Sequence, residues 1–456
     1  MVWILAEGRE LPRIVTPIPG PESQALSRRL RAVEAPGITP LEGAGPIFWA
    51  QARGANVIDV DGNRYIDLTA GFGVANAGHA PMAVIDAFAD QARHLLHGLG
   101  DVHPTLPKVR LLEKLSEIAP GTLSQTILCN SGAEAVEAAL KTALRHTGRP
   151  GVIAFSGSYH GLTHGALDAT GWRYFRDPFQ ARLSRNTIFV PYPDPFRPRL
   201  AATPEADLAA ILELVAFHLS DPAAGGVPIG AVVVEPILGR GGIIVPPPAF
   251  LPRLRELCSR HGALLVLDEI YTGCGRTGAW FAASTSGVTP DLLCVGKGMT
   301  GGFPMSACIG DPTVMSAWES DGGEALHTST FLGHPAGCRM ALAQLELLGS
   351  LIPEVAPLGE RLRRGLEALR ERFPVIGEIR GRGLMLGIDL VHPGSREPDA
   401  ALARLLSQKM LERGIIVLSE GPLGQVLALT PPLSITGEQI DCVVETLREV
   451  LTRIVG

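Results

Sequence analysis

The chain has 456 residues, of which 46% are hydrophobic and 19% charged, and its formal net charge is −6. This length suggests about two or three domains with a large core, and the composition argues against a disordered chain. The mildly acidic balance, without a long basic run, disfavours nucleic acid or an anionic membrane surface as a partner. Five of the 40 basic residues are lysines, so chemistry that needs a lysine amine has five candidates: Lys108, Lys114, Lys141, Lys297 and Lys409.

The seven cysteines indicate a reducing compartment. They form no C-x-x-C pair and no Cys/His cluster at metal-ligand spacing, so no metal site is predicted. An odd count, mostly within apolar runs, is typical of reduced thiols in a cytoplasmic protein. The start MVWILAEGRE lacks the basic and long apolar regions of a secretion signal, and no run approaches the roughly 20 apolar residues of a membrane helix. We therefore expect a cytoplasmic protein without a membrane partner.

Residues 1–75 predict an N-terminal arm and a hairpin that packs with the C-terminal part of the chain. The arm is rich in Pro and Gly and contains one helical patch, from Ser23 to Val33. From Asn56 onward, apolar alternation on both sides of Asp61-Gly62 indicates a β-hairpin.

Residues 76–337 predict a large α/β domain. Short apolar strands alternate there with helical periods, a pattern typical of a mostly parallel sheet covered by helices on both faces. Ligands of such sheets gather at the carboxyl ends of the strands. The predicted strands are 126–129, 152–155, 187–190, 231–237, 263–270, 291–296 and 306–310, and the main helices are 133–146, 204–219 and 250–260.

Residues 338–456 predict a smaller α+β domain. Two amphipathic helices, at about 338–350 and 354–373, precede strands in GLMLGIDL, GIIVL and QVLALT. A last helix begins at Thr436, whose T-x-x-Q pattern with Gln439 is a capping box.

Lys297 differs from the other four lysines, which occupy polar positions of predicted helices. It follows the buried strand DLLCV and is flanked by Gly296 and Gly298, which permit close approach of a ligand. Partial burial would lower the pKa of its amine and make it a better nucleophile toward a carbonyl. A surface lysine on a glycine-rich turn remains the alternative.

The turn after the strand ending at Cys129 is a candidate phosphate site. Ser131 can cap the following helix while Glu134 reaches back, and Gly132 and Ala133 leave the first amides uncovered. A helix N-terminus of this kind can hold a phosphate, although any capped helix has the same pattern.

Two further strand ends carry polar or aromatic residues. Asp268 and Glu269 follow five apolar residues, and a buried carboxylate needs a partner, either a protonated ring nitrogen or an arginine such as Arg276. Tyr159 and His160 follow another strand, and a flat ring there could stack on a planar ligand. A nucleophilic lysine, a phosphate site, a buried carboxylate and a stacking ring together suit pyridoxal phosphate, whose electron-sink chemistry needs a protonated pyridine nitrogen.

These residues lie in stretches by which the chain resembles the class III (ornithine/4-aminobutyrate type) pyridoxal-phosphate aminotransferases, from about residue 45 to 450. The 29-residue spacing from Asp268 to Lys297 also agrees. The resemblance implies fold type I, in which a large α/β domain and a small α+β domain form a homodimer with active sites at the subunit interface. The matching stretches are NSGAEAVEAALK (130–141), SYHG (158–161), VVVEPILGRGG (232–242), LLVLDEIYTGCGRTG (264–278), PDLLCVGKGMTGGFPMSA (290–307) and HTSTFLGHPAGC (327–338).

By this resemblance, Lys297 is the Schiff-base lysine and also the acid/base that moves a proton between the substrate and the cofactor. Asp268 pairs with the pyridine nitrogen, and Thr330 reaches the phosphate bound by the neighbouring subunit. The remaining implied cofactor contacts are Ser131, Gly132 and Ala133 on the phosphate, Tyr159 and Ile270 on the two faces of the ring, and His160 beside them.

Three positions depart from the family pattern. Tyr271 replaces a frequent Gln that contacts the cofactor's 3′-oxygen, and its hydroxyl is expected to serve instead, while His334 replaces a frequent Asn. Ala428 replaces the arginine that commonly binds an α-carboxylate. Without that arginine, Glu235 is expected to be free or to pair with another cation such as Arg240, and both are candidate substrate contacts.

The leading hypothesis is an aminotransferase that moves an amino group between an amine or amino acid and a 2-oxo acid by ping-pong kinetics. A racemase or epimerase on the same scaffold is the alternative, because an amide substrate needs no carboxylate contact. It would need a second acid/base opposite Lys297, and the guanidinium group of an arginine such as Arg240 is a poor base. A non-catalytic dimer that binds the cofactor is a more remote alternative.

Overall fold

The computed structural model describes residues 7–41, 45–220, 226–319 and 322–456. Its strands, in chain order, are β1 (Trp49–Arg53), β2 (Asn56–Asp59), β3 (Arg64–Asp67), β4 (Gln125–Cys129), β5 (Gly151–Phe155), β6 (Thr187–Val190), β7 (Ile229–Val234), β8 (Leu264–Asp268), β9 (Leu292–Val295), β10 (Ser306–Gly310), β11 (Ile376–Arg382), β12 (Met385–Leu390), β13 (Ile415–Ile416), β14 (Leu418–Glu420) and β15 (Val426–Leu429).

The helices are α1 (Pro21–Arg31), α2 (Ala70–Gly73), α3 (Met82–His94), α4 (Leu106–Ile118), α5 (Gly132–Thr147), α6 (His164–Ala169), α7 (Arg173–Arg176), α8 (Pro204–Ser220), α9 (Phe250–His261), α10 (Pro312–Met315), α11 (Pro335–Arg372), α12 (Ala400–Glu412) and α13 (Gly437–Val455). Short 3₁₀ turns cover Asp177–Arg182, Ala282–Ser286, Lys297–Met299 and Ser316–Trp318.

The large sheet is mostly parallel, as the sequence predicts. Its strand order is β4-β10-β9-β8-β7-β5-β6, and β10 alone runs antiparallel to its two neighbours. Every residue of β7, β8 and β9 is buried, because helices cover both faces. Alternate residues of β8 belong to different core clusters: Leu265 packs with residues of α8 and α9, and Val266 packs with residues of α5.

Five strand ends that precede predicted site residues lie at one edge of this sheet, together with the end of β6, which is parallel to β5. Since β4 and β9 are both antiparallel to β10, they run in the same direction as each other and as β5, β7 and β8. Their carboxyl ends therefore lie along the same edge, where an open α/β sheet binds its ligand.

Two four-stranded sheets lie outside the large one. The predicted hairpin is confirmed, with Asn56 opposite Ile66, and β3 also pairs in parallel with β13 of the C-terminal part. The second sheet has the order β11-β12-β15-β14 and is antiparallel. The capping box of α13 is confirmed, since Thr436 and Gln439 each bind the other's backbone N–H through their side chains.

The prediction of two helices in 338–373 is wrong, because α11 runs without a break from Pro335 to Arg372 with Pro353 and Pro357 inside it. An internal proline costs a helix about 3 kcal/mol. Packing of α11 before and after the prolines offsets this cost. Before them, Ala343 packs with α3, and after them, the buried Leu366 belongs to the core near α13. The length and composition of α11 would also allow it to cross a membrane. The core helix of a soluble protein can meet the same two criteria.

Candidate active site

A cavity of about 270 Å³ lies at the edge where the five strand ends meet. Ten of the twelve predicted site residues line it, and Ser131 and Thr330 do not. The lining residues are Gly132, Ala133, Tyr159, His160, Gly161, Leu162, Glu235, Arg240, Asp268, Ile270, Tyr271 and Lys297.

The N-terminus of α5 forms one wall of the cavity. Ser131 is its N-cap, and its hydroxyl accepts a hydrogen bond from Glu134 N at 3.3 Å. The predicted return contact of Glu134 is displaced by one residue, because its carboxylate binds Asn130 N at 2.9 Å rather than Ser131 N. This arrangement directs the positive end of the helix and its first amides toward the cavity.

Gly161 packs directly on the first turn of α5. Its φ is +125°, and a Cβ added there would lie 2.5 Å from the Ala133 Cβ. We expect Gly161→Ala to lower the free energy of unfolding by at least about 2 kcal/mol, because strained backbone and overlap add together. Gly148→Ala is the matched control, since Gly148 also has a positive φ (+68°) but no atom within 4 Å of an added Cβ. Chemical denaturation of both variants tests this, and equal losses would contradict the close packing.

Asp268 and His160 form a buried pair on the opposite wall. Asp268 Oδ2 accepts from His160 Nδ1 at 2.7 Å, and Asp268 Oδ1 accepts from Ile270 N at 3.0 Å. Burial lowers the pKa of His160, but the hydrogen bond and charge of Asp268 outweigh burial, so this pKa is raised overall. The alternative partner of Asp268 is wrong, because Arg276 instead binds Asn76, Leu384 O and Pro431 O.

The neighbouring carboxylate, Glu269, has a structural role. It is fully buried and accepts hydrogen bonds from Thr272 Oγ1 at 2.7 Å and from Ala282 N and Ala283 N at 2.7 and 2.8 Å. It therefore holds the turn at 282–283, whereas Asp268 faces the cavity.

Lys297 extends from the end of β9 into the cavity. Its φ is +45°, a strained conformation for a non-glycine residue, and its Nζ lies 3.8 Å from the centre of the Tyr271 ring. Burial lowers the pKa of Lys297 to about 8, against the opposing charges of Asp268 and Glu235. More of the amine is therefore neutral and nucleophilic near neutral pH than in an exposed lysine.

Tyr271 lies beside Lys297 but already has a partner for its hydroxyl. The Tyr271 hydroxyl and Thr430 Oγ1 are 3.1 Å apart, and burial raises the pKa of the phenol. Its ring also packs against the small apolar cluster that contains Ala428. The expected contact of this hydroxyl with the cofactor's 3′-oxygen stays a prediction.

The expected pairing of Glu235 with Arg240 is wrong, and among the described residues Glu235 has no ion pair, as the other expectation states. Its two carboxylate oxygens accept from Tyr159 N and Gly239 N, both at 2.9 Å, and burial raises its pKa to about 7. Arg240 pairs instead with Glu420 of β14, with 3.5 Å between Nε and Oε2. The sequence did not suggest Glu420, since nothing in the short strand LSE indicates that it meets a loop 180 residues earlier.

Thr330 lies on the surface near the β4–α5 turn. Its neighbour Ser329 accepts a hydrogen bond from Asn130 Nδ2 at 3.0 Å, and Thr328 donates one to Asp101 at 2.6 Å. Thr330 itself is exposed. Its contact with the phosphate of a second subunit stays a prediction.

Comparison with known proteins decides the family. The family model for class III aminotransferases matches residues 40–451. The chain belongs to the class III aminotransferases.

The relatives of this aminotransferase cover nearly its whole length. It is 38% identical to a 4-aminobutyrate aminotransferase of Mycobacterium tuberculosis, over 93% of this chain and 95% of the relative. It is 33% identical to an alanine/serine racemase of Pyrococcus horikoshii, over 97% and 93% respectively. An amine transaminase from an uncultivated Pseudomonas species, solved with pyridoxal phosphate, superposes with a TM-score of 0.85 at 30% identity, covering 92% of this chain and 99% of that one.

Pyridoxal phosphate is the cofactor of this family, and the cavity of this aminotransferase has groups that suit it. A Cβ on Gly132 would approach Ile270 Cδ1 to 3.0 Å, so glycine lets the first turn of α5 lie close to Ile270, beside the cavity that both residues line. The buried Asp268 carboxylate suits a protonated pyridine nitrogen, and the Lys297 amine suits an aldehyde. The donor set therefore matches the phosphate, the ring nitrogen and the aldehyde.

Proposed function

We propose that this aminotransferase takes its amino group from a carbon that bears no carboxylate, as in a primary amine or an ω-amino acid, and passes it to a 2-oxo acid. The observation that carries the proposal is the site of Ala428, which is 4% exposed and packs with Ile237, Ile243 and Met385. This apolar cluster borders Tyr271 and offers no cation to an α-carboxylate. The donors named for the Mycobacterium and Pseudomonas proteins, 4-aminobutyrate and amines, are of this class.

The residues of the cavity have separate roles in this proposal. The first amides of α5, with Ser131, Gly132 and Ala133, would hold the phosphate, and Tyr159 and Ile270 would enclose the ring. Asp268 would keep the pyridine nitrogen protonated, and His160 would orient Asp268 through their hydrogen bond. Bound pyridoxal phosphate supplies an electron sink for the carbanion chemistry.

Lys297 is the acid and base of the reaction. Its Nζ would take up and release the proton of the amine-bearing carbon of the donor, because burial keeps the amine partly neutral. Tyr271 restricts the movement of Lys297, since its ring lies directly beside Nζ.

A racemase on this scaffold is less well supported. It needs a second acid/base opposite Lys297, and the guanidinium group of an arginine such as Arg240 is a poor base. Both oxygens of Glu235 are bound by backbone amides, so this carboxylate is held in place. Similarity to one racemase is weaker support for racemisation than these contacts are against it.

The proposal includes a homodimer in the cytoplasm. Segments 95–102 and 326–331 are joined by the Thr328–Asp101 hydrogen bond, and both expose apolar side chains, which supports an interface that includes Thr330. The exposed residues are Leu95, Leu96, Leu99, Val102, Leu326 and Phe331. All seven cysteines are free thiols, which supports a reducing compartment.

We also propose the division into an arm with its hairpin (1–75), a large domain (76–337) and a small domain (338–456). The hairpin shares a sheet with β13, which supports its packing with the small domain. The boundary at 337/338 lies in the first turn of α11, which His334 caps by accepting from Gly337 N at 3.2 Å.

A panel of donors tests the proposed substrate class. The holoenzyme is mixed with 4-aminobutyrate, a primary amine such as benzylamine, or L-alanine, and loss of the cofactor's visible absorbance is followed in a single turnover. We expect 4-aminobutyrate or benzylamine to consume this absorbance. L-alanine, which is the product formed from pyruvate, should react in the reverse half-reaction and is the positive control. Reaction of L-alanine with no reaction of either other donor would contradict the proposal.

A further inference from the structure

Arg240 is the one arginine among the described residues that line the cavity. Its guanidinium carbon lies 4.8 Å from the centre of the Tyr159 ring and 5.5 Å from that of Phe175. Stacking on two aromatic rings orients the planar group and leaves its edges available for hydrogen bonds. The Arg240 side chain is 38% exposed, so a ligand can reach it from the cavity.

The Arg240 and Glu420 side chains are farther apart than the partners of a typical charge-assisted hydrogen bond. Charge-assisted N–H···O bonds are typically about 2.7–2.9 Å long, whereas Arg240 Nε and Glu420 Oε2 are 3.5 Å apart. Elsewhere in the chain, Arg197 binds Asp389 through two nitrogens at 2.6 and 2.7 Å. The Glu420 carboxylate is also nearly buried, with 9% of its side chain exposed, and burial raises its pKa despite the charge of Arg240.

The backbone keeps these two residues adjacent. Gly421 N donates to Arg240 O at 3.0 Å, which ties the loop after β7 to the end of β14. Arg380 holds the other side of the same loop, because its Nε donates to Gly242 O at 2.9 Å. The side chains of Arg240 and Glu420 can therefore separate without moving the loop.

A 2-oxo acid needs a cation that the rest of the cavity does not supply. In a ping-pong reaction the acceptor occupies the site that the donor has left, and its carboxylate must be paired there. Ala428 offers no charge, and Lys297 is engaged at the reacting carbon in the proposed function, on which this argument rests. His160 also lines the cavity, but it is paired with Asp268 at 2.7 Å. Of the described cations that line the cavity, Arg240 remains.

We propose that Arg240 binds the carboxylate of the 2-oxo acid and that Glu420 is its exchangeable counter-ion. When the site holds a donor without a carboxylate near Arg240, Glu420 neutralises the guanidinium. When a 2-oxo acid enters, its carboxylate replaces Glu420 on Arg240. One site can then accept an uncharged amine in one half-reaction and an anionic acid in the other.

The test measures binding of glutarate, a dicarboxylate without a reactive carbonyl, to the holoenzyme by calorimetry. We expect Arg240→Leu to raise its Kd about 10- to 100-fold, since hydrogen bonds to charged groups contribute about 1.5–3 kcal/mol. The KM for pyruvate should rise at least about 10-fold more than the KM for benzylamine. Glu420→Gln should lower the glutarate Kd about 2- to 10-fold, because it removes the competing carboxylate.

The double variant R240L/E420Q separates direct contact from an indirect effect. If Arg240 contacts the ligand, the double variant binds glutarate as weakly as R240L does. If R240L acts only by leaving Glu420 without its partner, the double variant recovers wild-type affinity, which would overturn the proposal. Arg448→Leu, which removes a surface ion pair with Glu445, is the control and should leave the Kd unchanged.

The two proposals can fail independently. An unchanged glutarate Kd in R240L would overturn the role of Arg240, even if the wild-type enzyme transfers amino groups from amines as proposed. Failure of amines to react in the wild-type donor panel would instead contradict the proposed function, and the glutarate measurement does not depend on turnover.

Discussion

Lys297→Ala should reduce kcat for amino transfer by at least about 10⁴-fold, the largest effect expected for a single residue of this site. In the proposed function, Lys297 supplies both the amine that attaches to the cofactor aldehyde and the base that moves the substrate proton, and the variant would lose both. None of the other four lysines can replace it. Lys108 binds Gly100 O, Lys114 and Lys409 pair with Glu117 and Glu412, and Lys141 contacts His327.

Steady-state rates with an amine donor and pyruvate measure this loss, and the visible absorbance of the bound cofactor reports the missing covalent attachment. Added methylamine should partly restore turnover, because a small amine can occupy the space of the missing side chain. Lys409→Ala, which removes an exposed ion pair on α12, is the control. Retention of more than about one hundredth of the wild-type rate would exclude Lys297 as the essential base.

Asp268→Asn should reduce kcat about 10²- to 10³-fold while the folded protein still binds the cofactor. A neutral amide cannot keep the pyridine nitrogen protonated, so the electron sink weakens. The substitution also removes the charge that raises the pKa of His160, and burial then favours the neutral imidazole. Both changes act on the reacting centre rather than on the fold.

Glu269→Gln is a matched control, because the adjacent carboxylate is equally buried but binds Thr272, Ala282 and Ala283 outside the cavity. It should lower the melting temperature and leave kcat per folded molecule close to wild type. The melting temperature and kcat of both variants separate the two roles. If Glu269→Gln lowered kcat as much as Asp268→Asn, the assignment of the two carboxylates would be wrong.

The large sheet was predictable because its strands are buried on both faces. Continuous apolar runs such as ALLVLDEI stand out from the amphipathic helices between them, and helices α5, α8 and α9 lie within one residue of the predicted ranges at each end. Strands β1 and β11 were missed, since both carry several exposed or half-buried polar residues. The unbroken α11 depends on packing along its whole length, which local sequence does not contain.

The location of the candidate site was predictable where its residues follow strand ends. Lys297 was distinguishable from the other lysines because only it follows a buried strand. The sequence could not tell which of Asp268 and Glu269 faces the cavity, because both follow the same apolar run. The partners of Glu235 and Arg240 were predicted wrongly, since they depend on backbone amides and on Glu420, which only the folded chain brings near.

The most direct test of amino transfer itself uses ¹⁵N-labelled 4-aminobutyrate and pyruvate with the wild-type holoenzyme in D₂O. If the enzyme transfers the amino group as proposed, we expect ¹⁵N to appear in alanine at the rate at which the donor is consumed. Deuterium at the amine-bearing carbon of recovered donor, with no ¹⁵N in alanine, would show that the enzyme moves protons without moving the amino group and would contradict the account.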